Sequence, residues 1–127
     1  MNNKQIEDRA IKWVKRHLRS LGEEPESNKQ GADVISNGKY IDVKGCMGKA
    51  TYIRMVQSAL DNIAKEGMLK QGNFYIYYVY DMASGKPKLM IFDWEMFNQF
   101  KIPEIKWVLR PFKIQEETGK PEVIYLK

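Results

Sequence analysis

The chain of 127 residues contains one cysteine, Cys46, and one histidine, His17. A lone cysteine forms no intrachain disulfide, so nothing points to an oxidising compartment. With no second His or Cys at ligand spacing there is no zinc motif, and Cys46 has no histidine nearby in sequence to activate it as a nucleophile. No apolar run approaches the roughly 18 residues that a membrane span needs. The opening MNNKQIEDRA lacks an apolar signal core, so the expected location is the cytoplasm and no membrane partner is expected. Repeats and low-complexity tracts are absent too. The glycine-rich run Gly45-Cys46-Met47-Gly48-Lys49 lacks the spacing of a Walker loop, which argues against nucleotide hydrolysis.

What is present describes an ordinary globular chain, 43% hydrophobic and 29% charged, expected to form one domain over residues 1–127. Lys and Arg number 21 against 16 Asp and Glu, a net charge of +5. That excess tilts the expected partner towards polyanions, because basic side chains neutralise phosphates and release their counterions.

Helical periodicity comes first, over residues 5–21. Ile6, Ala10, Trp13, Val14, Leu18 and Leu21 recur every three or four positions, and Gly22 supplies a stop. His17 falls on that apolar side and reads as a packed histidine. Arg9, Lys12, Arg16 and Arg19 form a basic stripe opposite: either a solvated face or an edge turned to phosphates. Residues 23–30 read as a polar loop with room for one edge strand. A second helix is predicted from Thr51, as N-cap, to Gly67, with Tyr52, Met55, Val56, Ala59, Leu60, Ile63 and Ala64 on its core face. Phe74–Tyr80 is aromatic and β-branched, suiting a central strand with tyrosines on both faces. Residues 89–92 read as its returning strand and 94–100 as a short helical turn. Residues 107–114 and 123–126 read as late strands around a turn at ETGKP. The order implies an α/β fold with a mixed central sheet flanked by helices.

Between the two predicted helices lies the segment ADVIS-NG-KYIDVK. Asn37-Gly38 is a strong two-residue hairpin signal, and the turn fixes the register. Ser36 then faces Lys39, Ile35 faces Tyr40, Val34 faces Ile41, and Asp33 faces Asp42. Alternation puts Asp33, Asp42 and Lys44 on one face, with apolar Val34, Ile41 and Val43 on the other. Two carboxylates facing each other, with Cβ atoms about 5 Å apart, destabilise a sheet. The pair is tolerable if one acid stays protonated, if solvent and Lys44 relieve it, or if a cation neutralises it. Mg²⁺ suits the last option, since it is commonly held by one or two carboxylates plus waters and substrate phosphate. The plainer alternative is a solvated hairpin face.

An Asp, a short hairpin, then a hydrophobic–acid–hydrophobic–Lys strand resembles the PD-(D/E)xK nuclease superfamily, the restriction-endonuclease-like fold. The matching residues are Gly31-Ala32-Asp33-Val34-Ile35 and Tyr40-Ile41-Asp42-Val43-Lys44-Gly45, with Ala32 where the family's name has proline and Asp42 as the second acid. The resemblance implies a core of α-β-β-β-α-β type and a Mg²⁺ or Mn²⁺ ion held by Asp33, Asp42 and the Val43 carbonyl. It also implies Lys44 beside the attacking water and a helix glutamate near the metal. Glu7, at the edge of the first helix's apolar face, is the candidate; otherwise it is a helix-start acid favoured by the macrodipole. Asp8 points towards the basic side and is the weaker choice. Gln57, off the core face of the second helix, is a possible accessory residue, and Lys49 a possible phosphate contact.

The expected function is therefore metal-dependent hydrolysis of DNA, RNA being the other polyanion in view. Arg9, Lys12, Arg16 and Arg19, or the later Lys101, Lys106, Arg110 and Lys113, would grip the backbone. A second copy would let so small a domain span both strands. The alternatives are a non-catalytic nucleic-acid-binding module of the same fold, and a structural or protein-interaction domain.

Overall fold

The computed structural model describes residues 1–27, 32–55, 60–61, 64–65, 72–103 and 106–127. Helix α1 spans Asn3–Ser20 and starts two residues before the periodicity suggested. The cause is a capping box at Asn2: its side chain accepts from the Gln5 N–H while the Gln5 side chain accepts from the Asn2 N–H. The helix closes with Glu23 N–H on Leu18 O and Gly22 N–H on Arg19 O, a Schellman pair. Leu21 therefore lies beyond the helix and is exposed, not part of the apolar face.

Edge strand β1 (Glu26–Ser27) precedes hairpin strands β2 (Val34–Ser36) and β3 (Lys39–Gly45). Strand β4 is Ile53–Met55, β5 Phe74–Tyr80 and β6 Lys88–Asp93. Helix α2 (Trp94–Phe100), β7 (Ile102–Pro103), β8 (Trp107–Leu109), helix α3 (Pro111–Thr118) and β9 (Ile124–Tyr125) complete the order. The main sheet runs β1-β2-β3-β5-β6-β9, with β3 and β5 parallel and every other pairing antiparallel. A small sheet runs β4-β8-β7. This is an α/β fold with a mixed sheet, as the sequence order implied. Among the described residues no helix is long and apolar enough to cross a membrane.

The main sheet buries both faces. Ala10, Val14 and Leu18 of α1 are fully buried against Val34, Ile41, Val43, Tyr77 and Val79. Val14 and Leu18 each contribute roughly 1.5–3 kcal/mol of burial. On the opposite face Phe74, Ile76, Tyr78 and Tyr80 of β5 pack with Met90, Phe92, Phe97, Leu109 and Ile114. A strand covered on both sides reads as a continuous apolar run, which is why FYIYYVY shows no polar alternation.

Two expectations fail, both for tertiary reasons. Residues 51–55 do not begin a helix: Ile53 and Met55 point inwards around an exposed Arg54 and pair with Leu109 and Trp107. Helical backbone is present at residues 60–61 and 64–65, where Leu60 is buried but Ala64 exposed; Tyr52 is also exposed, so neither it nor Ala64 belongs to a core face. Val56, Ala59, Ile63, Gly67 and the accessory candidate Gln57 lie outside the described residues, as does Gly31. The strand expected over residues 107–114 stops at Leu109, because Pro111 occupies the first turn of α3. Proline has no N–H for a ladder, whereas its fixed φ suits a helix start.

Candidate metal centre at the hairpin fork

The hairpin register is Val34 with Ile41, Ile35 with Tyr40 and Ser36 with Lys39. Positive φ at Asn37 (49°) and Gly38 (76°) makes the tight turn that sets it. The tip is tied to the end of α1: Ser36 Oγ donates to Glu23 Oε1 at 2.8 Å and Lys39 Nζ to Glu23 Oε2 at 3.0 Å. His17 lies within the field of the same pair, and burial together with Lys39 lowers its pKa.

The pairing stops one step short of the acids. Asp33 is not a ladder partner of Asp42; its N–H donates to Ile41 O at 2.9 Å, and β2 leaves β3 there. Below that fork no pairing of β3 on the β2 side is found among the described residues. Asp33 fills part of the gap with its side chain, Oδ2 accepting from Val43 N–H at 2.8 Å. Backbone polarity alternates along a strand, so the Val43 carbonyl points to the same opened side.

Across β3, Ile41 and Val43 face α1, whereas Asp42 and Lys44 lie beside Ile76 and Tyr78 of β5. The Asp42 side chain is 12% exposed and Lys44 Nζ stands 3.2 Å from its Oδ2. The contact is ionic without hydrogen-bond geometry. Among the described residues, Asp42 Oδ2 is the buried side-chain oxygen left with no hydrogen-bond partner.

Gly45 supplies the remaining contact. A Cβ there would sit 2.7 Å from Ala10 Cβ and 3.2 Å from Ile6 O, so glycine lets α1 close onto the end of β3. That approach brings Glu7, one turn before Ala10, to a cleft of 350 Å³ lined with Asn3, Ile6, Val43, Lys44 and Gly45. The carboxyl groups of Glu7 and Asp33 interact, as do those of Asp33 and Asp42. The row raises every member. Burial, then the Asp42 charge, lifts Asp33 from 3.8 to about 6 against the pull of the Val43 N–H. Burial lifts Asp42 despite Lys44, and burial plus Asp33 lifts Glu7.

Three expected site acids and Lys44 thus converge, although Asp33 and Asp42 meet across a fork and not as a cross-strand pair. Asp8 is exposed. Among the described residues no three His, Cys, Asp or Glu side chains form a ready cation cage. The donor set is nevertheless of the kind a hard divalent ion takes: carboxylate oxygens, one lacking any hydrogen bond, beside an outward carbonyl, with coordination left for water. Arg9, Lys12, Arg16 and Arg19 are all exposed along α1, and Arg16 lies 5.4 Å over the Trp13 ring. Lys49 is exposed too, on the loop after β3, and stands over the Phe112 ring at 5.7 Å. Sequence reasoning gave no role to Gly45, whose packing depends on a helix 35 residues earlier.

The family model described as "Protein NO VEIN, C-terminal" matches residues 6–92. The chain belongs to this family. The matched NO VEIN C-terminal segment runs from α1 through Phe92 of β6 and so contains Glu7, Asp33, Asp42, Val43 and Lys44. Arg110, Phe112 and Lys113 follow it. No curated protein and no solved structure gives a significant match to the chain.

Proposed function

We propose that this NO VEIN C-terminal domain is a metal-dependent phosphodiesterase that hydrolyses DNA in the cytoplasm, built as a PD-(D/E)xK nuclease. The observation that carries this reading is the buried Asp42 Oδ2 without a hydrogen bond, next to Asp33 at the fork and Lys44 on the same strand. A buried carboxylate oxygen with an ion-pair partner but no hydrogen bond is costly to keep, and a structural role would be served as well by asparagine.

Asp33 and Asp42, with the Val43 carbonyl, would hold Mg²⁺ or Mn²⁺. Once bound, the ion supplies Lewis-acid polarisation of the phosphate and charge neutralisation at the leaving oxygen. Glu7 stands on the α1 side, where the Asp33 charge raises its pKa, and would add a third acid beside the ion. Lys44 keeps its ammonium at the mouth of the site, partly exposed, where it orients the attacking water. The exposed basic stripe of α1 grips the backbone without reading sequence.

The test is cleavage of plasmid and single-stranded DNA with Mg²⁺ or Mn²⁺ by wild type, Asp42→Ala and Lys44→Ala. Metal-dependent cleavage by wild type alone is the expected result. Equal activity in all three, or none in any, would overturn the reading.

A further inference from the structure

On the same sheet face as Asp42 and Lys44, a cleft of 840 Å³ opens between the loop before β4 and helix α3, lined by Tyr52, Phe112, Arg110 and Lys113. Tyr52 is 42% exposed, large for an aromatic ring. Arg54 fixes it: the guanidinium lies 4.2 Å from the ring centroid and donates to Tyr52 Oη at 2.8 Å. Phe112 is held edge-on to Tyr78 at 6.1 Å and to Tyr80 at 5.0 Å. Both rings are therefore pre-oriented, and little side-chain freedom remains to be lost when a planar group stacks on them.

Charge says what planar group. Lys49 and Arg54 stand over the rings, Arg110 and Lys113 line the cleft with them, and Glu116 and Glu117 are the acids of the lining. Four cations against two carboxylates leave the cleft net positive, which suits a polyanion. Aromatic rings set among cations are how proteins hold unpaired nucleotides: each base offers a π-face, and the cations follow the backbone. A duplex, its bases already stacked inside, offers those rings nothing. One side chain, Tyr78, links the cleft to the strand that carries Asp42 and Lys44. Lys44 is the register neighbour of Tyr78, and Tyr78 packs edge-on against Phe112.

We infer that this cleft binds an unpaired stretch of the DNA strand next to the scissile phosphate, its bases stacking on Tyr52 and Phe112, which makes single-stranded or frayed DNA the preferred substrate. The inference rests on the nuclease reading for its catalytic consequence, but the binding it asserts is independent of cleavage.

The experiment is fluorescence anisotropy in EDTA with a labelled oligo(dT) and a mixed-sequence duplex of equal length. Wild type, Tyr52→Ala, Phe112→Leu and Arg110→Glu are compared. The oligo(dT) binds wild type more tightly than the duplex. Tyr52→Ala weakens oligo(dT) on the order of fivefold or more and leaves the duplex unchanged; Phe112→Leu and Arg110→Glu act in the same direction. Because Tyr52 is exposed, its truncation tests the idea without risk to the core. Oligo(dT) affinity within twofold of wild type for Tyr52→Ala, or equal losses on both probes, overturns the inference. Stacking-dependent binding by a protein that never cuts would sink the nuclease reading alone; cleavage by a protein indifferent to Tyr52→Ala would sink this one alone.

Discussion

Replacing Asp42 by asparagine is expected to make the metal-free protein more stable. In the folded chain Asp33 ionises only at about 6 instead of 3.8, which caps the cost of its charge there at about 3 kcal/mol. Burial is the larger cause and the Asp42 charge the second; because Asp33 also keeps some solvent, deleting that charge recovers about 1–2 kcal/mol. At about 3–5 °C per kcal/mol for a chain of this length, Asp42→Asn should melt about 3–10 °C higher than wild type in EDTA near pH 7.5. Lys44, one-third exposed, loses its partner to solvent at little cost. The sign also predicts the pH dependence. A raised folded pKa means that the folded chain takes up the proton first, so the penalty is fully present above about 6 and is relieved towards 3.8. His17 works the other way, its lowered pKa making the folded chain resist a proton as pH falls. Subtracting one melt from the other cancels His17. The gap between Asp42→Asn and wild type should therefore shrink between about pH 7.5 and about pH 5. Differential scanning calorimetry at both pH values decides it. A variant less stable than wild type at pH 7.5, or a gap that widens on acidification, would refute the account of the acids as a mutually strained group.

Four further outcomes follow from the same geometry. Mg²⁺ at a hundredfold excess over its Kd should stabilise wild type by about 2.7 kcal/mol through linkage and leave Asp42→Asn unmoved; the effect should fade below about pH 6, where Asp33 takes its proton. Lys44→Ala should instead lower the EDTA melting point, by about 1–3 kcal/mol, because it strips the counter-ion from a buried carboxylate; a neutral result would mean that the pair does not neutralise Asp42. Gly45→Ala should cost about 1–3 kcal/mol, since its Cβ meets Ala10 at 2.7 Å, and the Gly45→Ala/Ala10→Gly double change should restore most of it in urea titrations. Arg16→Glu in the exposed stripe should weaken duplex binding and flatten the dependence of log K on log salt by about 1–2; an unchanged slope would remove the stripe from the interface.

How much of this was written in the chain order divides along a physical line. Features set by neighbours in sequence were legible. Asn37-Gly38 fixed the hairpin and its first three pairs because a two-residue turn leaves one register open. The i, i+3, i+4 spacing of Ala10, Val14 and Leu18 gave the buried side of α1, and FYIYYVY gave the central strand. The local pattern around Asp33, Asp42 and Lys44 was likewise enough to nominate them together.

Contacts between distant segments decided the rest. Residues 51–55 have the spacing of a helix start, yet β8 offers them a ladder some 50 residues later, and pairing plus burial outweighs so weak a propensity. The opening of the hairpin at Asp33 could not be read from alternation, which predicts continued pairing; the side chain instead takes the Val43 N–H. Glu7 was only an acid at the margin of an apolar stripe until Gly45 admitted α1 to the end of β3. The one histidine, one of the two scarcities of the sequence, sits by Glu23 and Lys39. Sequence thus named the acids, because local periodicity determines which side chains share a strand face. Tertiary packing decided that Asp42 is buried with one oxygen short of a hydrogen bond while Asp33 takes the Val43 N–H, because burial depends on what the rest of the chain lays over each side chain.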